Sequence, residues 1–152
     1  MIRSLKQKEC LHILTNNYIG HLAYLYKGAP FIAPITYYFD ERINAIVGYS
    51  AEGHKTKAMR KHSAVCMEVS EIESVNVWDS ILVHGHYEEL EGSEAKAYLH
   101  GFSLGVKDLI MRKEHRKLDF INQFSSKIYK DIPIVFVIRI EDITGKMRRH
   151  ED

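Results

Sequence analysis

Tyr18-Ile19-Gly20-His21-Leu22-Ala23-Tyr24-Leu25-Tyr26, then Lys27-Gly28-Ala29-Pro30, then Phe31-Ile32-Ala33-Pro34-Ile35-Thr36-Tyr37-Tyr38-Phe39 make one continuous stretch whose pattern decides the fold. Aromatic and apolar residues fill the two outer blocks, and glycine and proline sit in the middle one. That pattern reads as a strand, a turn and a second strand. Pro34 falls inside the second strand. Proline has no N–H to give to a ladder, so this strand belongs at a sheet edge or carries a bulge. Asp40-Glu41-Arg42 makes the next turn, and a third strand runs over 43–49. Three strands with short links predict an antiparallel meander and not βαβ units.

Upstream, Ser4 and Gln7 have the spacing of a capping box. Leu5, Cys10, Leu11 and Leu14 form a helical stripe over about 4–15, which Asn16-Asn17 can stop. Downstream, 55–62 reads as a short helix, 64–69 as a fourth strand and 77–90 as one long strand bending at Gly85. Ser93 caps a helix carrying Ala95, Leu99 and Phe102. Leu118, Ile121, Phe124 and Ile128 give a further stripe. The almost unbroken apolar run 133–140 predicts a central strand. Six strands, with helices at the start and in an insert at about 93–130, predict a mainly β fold with α: a small antiparallel barrel, closed or partly closed.

The composition narrows the function. With 152 residues, one domain spanning 1–152 is expected, and 45% hydrophobic residues suffice for a core. A formal net charge of +1 lacks the surplus that a nucleic-acid coat or polybasic membrane binder needs, so neither partner is expected. No apolar run approaches the roughly 18 residues of a membrane span, and Cys10 and Cys66 have no paired spacing; a soluble, cytoplasmic chain with two free thiols is expected. The nine tyrosines, beside six Phe and one Trp, exceed what chance suggests.

Charge is local. Lys55, Lys57, Arg60 and Lys61 lie between Gly53 and His62 with no acid among them, directly after the Ser50–Gly53 turn. A helix start there would offer free N–H groups and the positive end of the helix dipole. Ser50 adds a hydroxyl, Gly53 room for close approach, and His54 and Lys55 donor side chains, together a cradle for one phosphate. Taken alone, an ordinary strand-to-helix turn accounts for these residues slightly better. No GxxxxGK[ST], GxGxxG or GxSxG occurs. His84-Gly85-His86 puts two imidazoles on one strand face, but nothing completes a metal site, so no metal is expected; His12 and His21 read as structural or solvent-facing. No residue stands out as catalytic.

Five segments add up to a resemblance: Gly20-His21-Leu22-Ala23, Gly28 to Tyr38, Gly48 to Lys55, Val65 to Val69, and Trp78 to Gly85. In this order and spacing they resemble the pyridoxamine 5′-phosphate oxidase-like superfamily of FMN-binding split barrels, and within it the branch of the 5-nitroimidazole-resistance (Nim-type) proteins. Ile143-Thr144-Gly145-Lys146 fits the same branch. The resemblance implies a six-stranded antiparallel split β-barrel that dimerises and holds FMN at the homodimer interface. It implies phosphate contacts at Ser50, Gly53, His54 and Lys55, and lining of the isoalloxazine by Pro34, Ile35, Thr36 and Tyr37, continued by Val47, Gly48 and Tyr49. Trp78 and Ser80 match a region near the flavin or across the interface.

The implied activity is a flavin-dependent oxidoreduction of a small-molecule substrate. A non-catalytic carrier or sensor binding flavin, haem or F420, as related barrels do, is the alternative. The oxidase proper has Arg where this chain has His54, and a C-terminal Trp and Arg segment for its substrate, whereas no Trp follows Trp78 here. Nim-type members often carry His-Ser where this chain has Tyr49-Ser50.

Overall fold

The computed structural model describes residues 1–114 and 133–150. The elements are β1 (Ile2–Ser4), α1 (Gln7–Thr15), β2 (Ile19–Tyr26), β3 (Ala29–Thr36), β4 (Tyr38–Asp40), β5 (Ala45–Ser50), α2 (His54–Lys61), β6 (Ala64–Ser74), β7 (Val77–Leu90), α3 (Gly92–Glu114) and β8 (Ile134–Arg148). The expected second helical stripe, Leu118 to Ile128, lies outside the described residues. The eight strands form one antiparallel sheet ordered β3-β2-β6-β7-β8-β5-β4, with β1 also pairing β8. The class is the expected one, with two more strands than the six predicted.

The extra strands arise at two places. Ser4 does not cap a helix. It lies in β1 opposite Lys146, whose Nζ donates to its hydroxyl at 2.9 Å. The helix begins at Gln7, and the Glu9 carboxylate accepts the Lys6 N–H at 3.0 Å. Hydrogen bonds from Arg3, then from that N–H, pull the Glu9 carboxyl down to about 2. The second place is the predicted strand 31–39, which is broken at Tyr37 into β3 and β4.

That break corrects the predicted meander. β2–β3 and β4–β5 are hairpins, but β3 and β4 end up at opposite edges of the sheet although one residue separates them. Tyr37 carries the chain across this seam. Its N–H donates to Tyr18 O at 2.8 Å, and its fully buried hydroxyl donates to Leu14 O at 2.7 Å. The sheet therefore curls without closing there, as a split barrel does. β3 is an edge strand, where Pro34 is tolerated.

Two cores follow. Inside the curl, Leu22, Ile46, Met67, Val83, Phe136 and Ile138 meet Cys10, Ile13 and Leu14 of α1. Burial raises the Cys10 thiol pKa, and both cysteines are free. Outside it, α3 lays Leu99, Phe102, Val106 and Ile110 over Ala45, Val47, Val135 and Val137. β8 is thus covered on both faces between β7 and β5, which explains its unbroken apolar run. Gly85 sits where the β7–β8 register shifts, and a Cβ there would overlap the Arg139 carbonyl oxygen. Its expected role at a bend is borne out.

Candidate functional site

The turn after β5 delivers α2 with no side-chain cap on its first N–H groups among the described residues. Gly53 is the N-cap and has no side chain to cap with; the first helical bond runs from Lys57 N to Gly53 O at 3.1 Å. The N–H groups of His54, Lys55 and Thr56 therefore precede the helical ladder. Thr56, fully buried, closes the turn instead. Its hydroxyl accepts the Gly53 N–H at 3.1 Å and donates to Gly53 O at 3.0 Å. The Gly53 backbone is extended, a conformation open to any residue, and the space beside its Cα is empty. Its contribution is access, not torsion.

Electrostatics favour an anion here. The acid in the turn, Glu52, is drawn off by Arg60, whose Nη2 meets Glu52 Oε2 at 2.7 Å while Nε meets Glu89 Oε1 at 2.6 Å. Lys55 has no ion pair among the described residues, is half-buried, and has its ammonium pKa lowered by that burial. An incoming phosphate would supply the missing countercharge.

His54 is held in an aromatic box. Tyr24 OH and His54 Nδ1 are hydrogen-bonded at 3.1 Å, and the imidazole meets the Tyr26 and Phe31 rings edge-on, centroids 4.2 and 4.9 Å away. Nε2 is the ring nitrogen left for a ligand. Sequence reading did not single out Tyr24, Tyr26 or Phe31. The available signal was the turn at Lys27–Pro30, which brings their strand ends together.

The remaining predicted residues divide by location. Ser50 ends β5, and its hydroxyl donates to Ala51 O at 2.9 Å. Val47 lies under α3, Gly48 packs against the Phe136 ring, and half-buried Tyr49 meets the Phe102 ring at 5.4 Å with burial raising its hydroxyl pKa to about 12. Ile35 and Tyr37 point into the core, while Pro34 is exposed and Thr36 half-exposed on the outer face. Tyr37→Phe should cost about 1–3 kcal/mol of stability by stranding the Leu14 carbonyl. A denaturant midpoint at the wild-type value would show that the hydrogen bond matters little.

Trp78 and Ser80 lie on β7, opposite Arg148 and Lys146 of β8. Ser80 is linked back toward Pro34 through two residues of other strands. Its hydroxyl donates to Glu68 Oε2 at 2.9 Å, Glu68 Oε1 lies 3.1 Å from His21 Nδ1, and His21 stands opposite Pro34 in the ladder. Among the described residues no metal-binding cluster occurs and no helix is long and apolar enough to cross a membrane.

This geometry agrees with what the chain resembles. A Mesorhizobium loti protein described as FAD-binding has 26% identity to this chain, covering 97% of it and 98% of its own length with a TM-score of 0.74. A candidate 5-nitroimidazole antibiotic resistance protein from Bacteroides thetaiotaomicron, at 16% identity and a TM-score of 0.64, covers 99% of this chain and 93% of its own. An uncharacterized protein of Rhizobium meliloti is 29% identical over 105 residues, 68% of each chain. The family model described as pyridoxamine 5′-phosphate oxidase matches residues 6–146, and on that match this chain belongs to the pyridoxamine 5′-phosphate oxidase family.

Proposed function

We propose that this chain is an FMN-binding flavoprotein that works as a flavin-dependent oxidoreductase on a small molecule, with the cofactor seated between two copies of the chain. The observation that carries the reading is the uncapped start of α2 beside half-buried Lys55, which has no countercharge among the described residues. The likeness to a relative described as FAD-binding supports a flavin. FMN and FAD share the ring and its first phosphate, which is the part this cradle would hold.

When bound, the flavin supplies the hydride or electron chemistry. The chain's part is to bind and orient it. Lys55 and the N–H groups of residues 54–56 take the phosphate, and His54 adds a donor through Nε2, fixed by Tyr24. Pro34 and Thr36, on the outer face of β3, are the residues that the resemblance gives to the ring. That face is apolar beyond what a solvated surface needs: Ile19, Leu25 and Ile32 are 52%, 45% and 72% exposed. A second copy would cover it and the free β3 edge.

Fluorescence titration tests the ligand and sedimentation the assembly. FMN emission should be quenched at one FMN per chain, and the protein should sediment as a dimer. Binding of hemin or F420 without FMN would overturn the flavin reading. Much tighter binding of FAD would replace FMN as the ligand. A strict monomer would contradict an interface-built site.

A further inference from the structure

We infer that His21, held by Glu68 and Ser80, is the proton-bearing side chain that the outer sheet face presents to the bound flavin, favouring its reduced, anionic form; this rests on the flavin reading above. Three strands build the array. In the ladder, Pro34 of β3 stands opposite His21 of β2, His21 opposite Glu68 of β6, and Glu68 opposite Leu82 of β7, two residues from Ser80. The outward row therefore runs from the proposed ring-lining strand through His21 to the carboxylate that Ser80 anchors.

The hydrogen bonds fix the chemistry. An ionised Glu68 can only accept, so Nδ1 of His21, at 3.1 Å, carries a proton. The other carboxylate oxygen is occupied by Ser80 at 2.9 Å, which holds Glu68 in place. Nε2 is left facing outward on a side chain 52% exposed. It accepts in the neutral ring and donates in the protonated one. A flavin bound here would gain a negative charge on taking up two electrons and one proton, and an imidazolium at His21 would favour that form.

The surroundings argue against a merely solvated pair. The outward neighbours of His21 on β2 are exposed Ile19 and half-buried Ala23, and exposed Ile32 flanks Pro34 on β3, so apolar side chains frame the polar array. Such a frame with a few convergent polar groups marks a ligand or contact surface. Glu68 and Ser80 act through His21 and are positioning residues.

The test measures the equilibrium between oxidised and reduced flavin on the purified protein loaded with FMN. His21→Gln should lower the preference for the reduced form about tenfold, a fall of about 30 mV for a two-electron couple. Glu68→Gln and Ser80→Ala should shift it in the same direction by less, and His21→Lys, which restores a cation, should recover it. Melting temperatures should stay near wild type in all four, since these side chains are partly exposed. A redox preference unchanged by His21→Gln in protein that still binds FMN overturns the inference, as does weakened dimerisation with no redox change. A wild-type protein that binds no FMN defeats the underlying flavin reading instead.

Discussion

Lys55→Ala should weaken FMN binding about ten- to a hundredfold while leaving riboflavin binding within about twofold. The difference between the ligands is the phosphate. A charge-assisted hydrogen bond to it contributes about 1.5–3 kcal/mol, and 1.4 kcal/mol is a factor of ten. Lys55 is suited to show the effect cleanly. Burial lowers its pKa, and among the described residues no ion pair depends on its charge. Global stability should accordingly stay within about 0.5 kcal/mol of wild type or rise slightly. Parallel fluorescence titrations with the two ligands read the result. Equal loss for both would mean that Lys55 shapes the pocket and does not answer the phosphate.

Phe102→Ala should cost about 3–5 kcal/mol, the largest single stability effect expected. The ring is fully buried at the centre of the second core, against Tyr49 and beside Leu99 and Val106. Polar ties at the far end of α3, Lys113 to Asn17 and Glu114 to Tyr18, both at 2.8 Å, hold only its last turn. Leu104→Ala, on the exposed side of the same helix at 56% exposure, should change stability by less than about 0.5 kcal/mol. Urea midpoints for the pair decide it. A loss below about 1 kcal/mol at Phe102 would mean that α3 is not packed as described.

Much of this architecture is legible in the residues because local signals and global fold agree. The Pro34 edge, the Gly85 bend and the apolar central strand each follow from one backbone or burial rule, and each stands where the rule puts it. The seam at Tyr37 does not follow from local pattern. Period-two alternation runs straight through Thr36-Tyr37-Tyr38, and only the tertiary contacts of Tyr37 with Leu14 and Tyr18 show that the chain changes sheet edges there. The same limit applies to the candidate site. Ser50, Gly53, His54 and Lys55 are contiguous, so a turn and a helix start reveal them. Tyr24 is 30 residues from the imidazole it holds, and Glu68 is 47 residues from His21, so the packing of α2 on β2 joins the first pair and ladder register the second. The tyrosine excess also acquires a place. Tyr37 and Tyr49 serve the two cores, while Tyr24 and Tyr26 border the start of α2.

The central claim is that the start of α2 seats a flavin phosphate, and the absorption spectrum of the protein as purified, then after one equivalent of FMN, tests it most directly. The two visible-region bands of an oxidised flavin are expected, shifted from those of free FMN and retained through desalting. A colourless protein whose added FMN keeps its free spectrum and separates on desalting would contradict it.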